Sequence, residues 1–148
     1  MDWTDARIDS GGTAIAVRDY GGIGLVVLLL HGGPGQSLAI WDEFTPYLTR
    51  HLRVIAYDQL GHGESDDTDD FSYATLARDM RAVAAAFDVE HPILVGHCWG
   101  GQVAISCAAL DGECAGVVAI DGYVTDMWTE IDDATWQWMQ HDLPLTRS

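Results

Sequence analysis

Cys98 stands in the run Gly96-His97-Cys98-Trp99-Gly100-Gly101, between an apolar stretch and an Ala-rich one. A thiol framed by glycines two residues before and two after, where a strand gives way to a helix, is well placed to act as a nucleophile. The turn must be sharp, so its central residue takes a positive φ, and glycine leaves room for strand and helix to approach. A helix starting at Trp99 would aim its first N–H groups at an oxyanion forming beside the thiol. A second Gly-rich loop, His31-Gly32-Gly33-Pro34-Gly35, follows the apolar run Leu25 to Leu30. Gly33 is the expected second donor, its N–H joining that of Trp99 in an oxyanion hole. This is not a phosphate loop, because the chain has no lysine to complete one. Cys107 and Cys114 lie outside any such frame and read as small packing residues.

These residues need elements to hold them. Ala6 to Asp9 and Thr13 to Asp19 read as a hairpin turning at Ser10-Gly11-Gly12, with Ile15 and Val17 supplying the alternation. Leu25 to Leu30, Arg53 to Tyr57, Ile93 to Val95 and Val117 to Ile120 are short continuous apolar runs, as expected of buried strands. Trp41 to His51 reads as a short helix, and Asp66 to Asp70 as a solvated acidic loop. Ser72 to Phe87 is the clearest helix. Ser72 can cap it, and Leu76, Met80, Val83, Ala84 and Phe87 form one apolar stripe. Trp99 to Leu110 and Thr125 to His141 complete the helical segments. Helices alternating with apolar strands imply an α/β architecture with a parallel sheet. Ligands in such sheets bind beyond the carboxyl ends of the strands, here the loops after Leu30, Tyr57, Gly96 and Ile120.

Composition sets the exclusions. The 148 residues include 23 acids against seven bases, a net charge of −16, and every base is Arg. Such a surface repels nucleic-acid phosphates and anionic lipid, so neither is an expected partner, whereas a basic amine would be drawn to it. No apolar run approaches the roughly 18–20 residues of a membrane span. The acidic first ten residues do not read as a signal peptide. Three cysteines without close pairing argue against a disulfide framework or a zinc site, and a cytoplasmic setting is the default. No cofactor or metal is called for.

Three motifs now stand in order: the His31–Gly35 loop, the stretch Tyr57-Asp58-Gln59-Leu60-Gly61-His62-Gly63-Glu64-Ser65-Asp66, and the Gly96–Gly101 elbow. Their order and spacing resemble the α/β-hydrolase superfamily over about Ile15 to Thr125. The first two are most similar to the proline iminopeptidase branch, which carries Ser at the elbow. A Cys elbow is similar to that of dienelactone hydrolases and polyester synthases. The resemblance implies the α/β-hydrolase fold, a mostly parallel sheet with helices on both faces, truncated after about the sixth strand. Residues 1–124 would form the N-terminal part of the core and 125–148 the start of a helical cap.

In this fold the nucleophile is followed by the acid and then the histidine. Asp121 is the acid candidate, with Asp126 close behind it. His141 is the only later histidine, and no strand precedes it as the family requires. The resemblance therefore implies that two further strands and the base are absent, the chain being a fragment of a longer hydrolase, a short protein completed by another chain, or a non-catalytic remnant. Asp58 is expected to cap turn N–H groups, and His31 to organise its loop. His62 and Ser65 are read as loop residues, and His97 is expected to point away from the thiol. The implied activity is hydrolysis of an ester, lactone or amide, N-terminal peptide bonds included, through an acyl-cysteine on Cys98. The alternative is a catalytically silent binding or interaction protein. A small molecule or short peptide is the expected substrate, and Glu130, Asp132 and Asp133 in the cap-like segment suit a basic amine. Val117 to Ile120 is expected to be an apolar sheet edge that favours self-association.

Overall fold

The computed structural model describes residues 2–122. The expected helix over Thr125 to His141, its acids Asp126, Glu130, Asp132 and Asp133, and the 124/125 boundary lie outside the described residues.

Six strands form one sheet in the order β1-β2-β4-β3-β5-β6. β1 (Thr4–Ser10) and β2 (Thr13–Gly22) form the expected hairpin, closed by Gly11 and Gly12, both at positive φ. β2 pairs antiparallel with β4 (Arg53–Tyr57). From there β3 (Val26–Leu30), β5 (Ile93–His97) and β6 (Gly116–Ile120) add in parallel. Alternate side chains of these strands enter two cores. Leu28, Leu30, Ile55, Tyr57 and Leu94 pack with Leu76, Met80 and Val83 of α2 (Tyr73–Ala86) and Val103 and Cys107 of α3 (Trp99–Asp111). Val27, Leu29, Val54 and Ala56 pack on the other face against Tyr20, Leu38 and Trp41.

The helix α2 starts as its sequence suggests, with the Ser72 hydroxyl accepting from the Thr75 N–H at 3.3 Å. The segment Trp41 to His51 does not form one helix. A 3-10 turn, Leu38–Trp41, is followed by the single turn α1 (Thr45–Leu48). Pro46 has no N–H to donate to the Asp42 carbonyl, which an unbroken helix would require. The Thr45 hydroxyl takes that carbonyl instead, at 3.1 Å. β6 also differs from a strand buried on both faces: Val118 and Ile120 are about half exposed, at 48% and 44%. Among the described residues β6 pairs only with β5, so it is the last strand on that side.

The topology marks the site. The connection leaving β3 packs on one face of the sheet, through Leu38 and Trp41. The connection leaving β5 packs on the other, through α3. Neighbouring strands whose connections part to opposite faces open a crevice at their carboxyl ends. The loops there are His31–Gly35 and Cys98.

Candidate active site

Cys98 alone separates β5 from α3, and it does so at φ 52° and ψ −120°. For a side-chain-bearing residue this conformation costs on the order of 1–3 kcal/mol and persists only where the surroundings enforce it. They do so here. The Cys98 N–H donates to the Ile120 carbonyl of β6 at 2.9 Å, and the Cys98 carbonyl accepts from the Gly101 N–H at 2.9 Å. The flanking glycines are required by space. A Cβ on Gly96 would overlap the Gly100 carbonyl oxygen, and one on Gly100 would overlap that of His31. The thiol is half-buried.

The loop after β3 closes against this turn. Gly33 to Gln36 is a β-turn, with the Gln36 N–H donating to the Gly33 carbonyl at 3.2 Å. Pro34 occupies its second position and Gly35, at φ 80°, its third, the requirement of a type II turn. A Cβ placed on Gly33 would be 3.7 Å from the Trp99 Cβ, so the two expected oxyanion donors are neighbours. Among the described residues no hydrogen bond takes up the Gly33 N–H, and Trp99 opens a helix whose first N–H groups have no partner within it. Sequence reasoning missed Gln36. Its side-chain carbonyl accepts from the Gly32 N–H at 2.9 Å and lies 3.4 Å from His97 Nδ1. His97 thus faces Gln36, and a link runs from the loop after β3 to the residue before Cys98. The only signal in the sequence was a polar residue directly after the Gly-Pro-Gly turn.

His31 is fully buried and both its ring nitrogens are engaged. Nε2 faces the Gln59 backbone N–H at 3.0 Å and so must accept. Nδ1 therefore carries the proton and donates to the Gly32 carbonyl at 2.7 Å. Burial holds the ring neutral, with a pKa lowered to about 4. The Gln59 amide returns a bond to the His31 carbonyl at 2.9 Å. A ring so occupied is a clasp between two loops and has no lone pair to offer a thiol. Asp58 is the turn cap expected of it: one oxygen accepts from Leu38 N–H at 2.6 Å and the other from Glu64 N–H at 2.8 Å. Burial pushes this carboxyl above its ordinary value. Ser65 donates to the Asp58 carbonyl and accepts from the Ala16 N–H, at 2.6 and 2.8 Å.

A family model described as alpha/beta hydrolase fold matches residues 26–147. The chain belongs to the α/β hydrolase fold family. Protein phosphatase methylesterase 1 of Mus musculus is 35% identical over 116 residues, which are 74% of this chain and 30% of the mouse protein. The chain thus spans about a third of that relative. A proline iminopeptidase-related protein of Thermus thermophilus superposes with a TM-score of 0.75 at 27% identity, over 84% of this chain and 46% of that one. Est816, an N-acyl homoserine lactone degrading enzyme, superposes with a TM-score of 0.83 over 93% of this chain and 52% of its own, and at 24% identity it bears on the fold alone.

In this α/β hydrolase Asp121 follows the last residue of β6, is exposed, and has φ 51°. The carbonyl just before it holds the Cys98 N–H, so Asp121 and Cys98 share one end of the sheet. Among the described residues no hydrogen bond joins a histidine to the thiol. Nor is any group of three His, Cys, Asp or Glu placed there to hold a metal ion. No described helix is long and apolar enough to cross a membrane. A groove of about 400 Å³ beside Met80, Val89, His91 and Pro92 lies at the opposite end of β5 from Cys98 and takes no part in the site.

Proposed function

We propose that this chain carries the nucleophile side of a hydrolase site for small esters, lactones or amides. The observation that carries the reading is the Cys98 backbone, held in a strained conformation at the mouth of the switch-point crevice. The Cys98 thiolate attacks the substrate carbonyl carbon. The charge that gathers on the carbonyl oxygen is met by the N–H groups of Gly33 and Trp99, fixed in place before the reaction. Collapse of this intermediate breaks the ester or amide bond, the proton taken from the thiol passes to the departing alcohol or amine (in a lactone the alcohol stays tethered to the acyl group), and a thioester is left on Cys98. Water then hydrolyses the thioester and restores the thiol.

The base that deprotonates the thiol lies outside the described residues, and Asp121 is the candidate to orient it. The net charge of −16 and the likeness to a proline iminopeptidase-related protein favour a substrate with a basic amine, such as a peptide N-terminus. The test is acylation of the chain by p-nitrophenyl acetate, read by peptide mass spectrometry. The acetyl group is expected on the Cys98 peptide and absent from Cys98→Ala. Equal labelling of that variant at the same peptide overturns the reading.

A further inference from the structure

The indole of Trp99 does not stand alone beside the thiol. It stacks on the His62 imidazole, with ring centres 5.4 Å apart and planes inclined by 28°. Phe71 meets both rings edge-on, at 6.4 Å from each. His62 is held from below by the buried His31 ring at 5.1 Å, and its Nδ1 lies 3.2 Å from the Leu60 carbonyl. Phe71 is seated over Gly61, where a Cβ would come within 2.9 Å of the ring, yet 47% of the residue remains exposed. The three rings form a continuous aromatic surface. It begins at the expected oxyanion donors, because Trp99 adjoins Gly33, and it runs outward to the loop between β4 and α2.

We infer that this surface is a subsite for an aromatic ring without negative charge on the substrate, next to the bond that is cleaved. The inference rests on Cys98 being the nucleophile. A carbonyl placed between Gly33 and Trp99 extends one of its substituents along the three rings. Offset and edge contacts of the kind already present among them accept a further ring. The surface is already assembled, since His62 and Phe71 are packed in place, so little ordering is required of it. The acidic stretch Asp66 to Asp70 borders Phe71 and sets the charge preference, because a ring bearing a carboxylate would meet like charge there.

The test compares two alkylating reagents on the full chain: iodoacetamide and its N-phenyl derivative. Modification of each cysteine is followed by peptide mass spectrometry. Cys114, partly buried and outside the site, is the internal reference. The phenyl-to-parent rate ratio is expected to be roughly five-fold higher at Cys98 than at Cys114. Phe71→Ala should bring the two ratios together, and Phe71→Trp should restore the difference. A Cys98 ratio equal to that of Cys114 in the parent chain overturns the subsite while leaving the nucleophile reading intact. A raised ratio that survives Phe71→Ala removes Phe71 from the subsite and overturns the inference as drawn. Failure of both reagents at Cys98 while Cys114 reacts overturns the inference and the nucleophile reading together.

Discussion

Exchanging His31 for asparagine tests whether the clasp beneath the loop after β3 depends on a neutral ring. Folding lowers the His31 pKa from 6.5 to about 4. The unfolded chain therefore takes up a proton near pH 6.5 that the folded chain refuses until about pH 4. Stability is full above pH 6.5, falls as the pH drops toward 4, and levels off below. A gap of roughly 2.5 units, at about 1.4 kcal/mol each, corresponds to about 3 kcal/mol. The sequence pI is about 4.3, so measurement should stop at pH 5, where about 2 kcal/mol of the dependence is already expressed.

His31→Asn keeps an amide donor near the Gly32 carbonyl but leaves the Gln59 N–H unpaired, at a cost of about 1–3 kcal/mol. The parent should therefore be the more stable chain at pH 7.5. The difference should shrink by about 2 kcal/mol on going to pH 5, because only the parent loses stability through this ring. Urea unfolding of both chains, followed by far-UV circular dichroism from pH 7.5 to 5, measures the difference directly. Asp58 and the other carboxylates titrate in both chains and cancel in the comparison. A parent-to-variant difference that stays constant over this range refutes the clasp argument. So does a His31 ring signal in NMR that titrates near pH 6.5.

Gly100→Ala should unfold the chain or cost at least about 3 kcal/mol, because its Cβ would press on the His31 and Leu30 carbonyls of β3 and its loop. A urea midpoint within error of the parent would refute that close approach. Cys98→Gly should raise stability by about 1 kcal/mol by releasing the strain at φ 52°, while removing acyl labelling altogether. A loss of stability in this variant would show that the turn is not strained. Ser72→Ala should cost about 1 kcal/mol through loss of the α2 cap, read from the same unfolding curves.

The parts legible in the sequence are those where a local rule and the global fold agree. The stripe from Leu76 to Ala84 and the Ser72 cap announce α2, and four apolar runs announce the parallel strands. The Gly-x-Cys-x-Gly frame can be read because close approach tolerates almost nothing else. Asp58 was legible as a turn cap for a similar reason, since its short carboxylate suits neighbouring loop N–H groups. What escaped notice depends on contacts distant in sequence. Gln36 matters only because the loop after β3 lands beside His97 of β5. The break at Thr45-Pro46 depends on which group takes one carbonyl, which an apolar period does not record. The His31 tautomer follows from Gln59, on another strand's loop. The aromatic surface likewise joins two residues of the loop between β4 and α2 to a helix start.

The bond from the Cys98 N–H to the Ile120 carbonyl has a meaning in time as well as in space. A chain made from its N-terminus presents Cys98 well before Ile120 has emerged. Until β6 docks on β5, that bond cannot restrain the positive-φ turn, which is then free to relax. The thiol's presentation is thus complete only once β6 is in place, through a strand that contributes no side chain to it. Reactivity at Cys98 would then serve as a clock for maturation of the sheet, marking the moment when its last described strand locks into register.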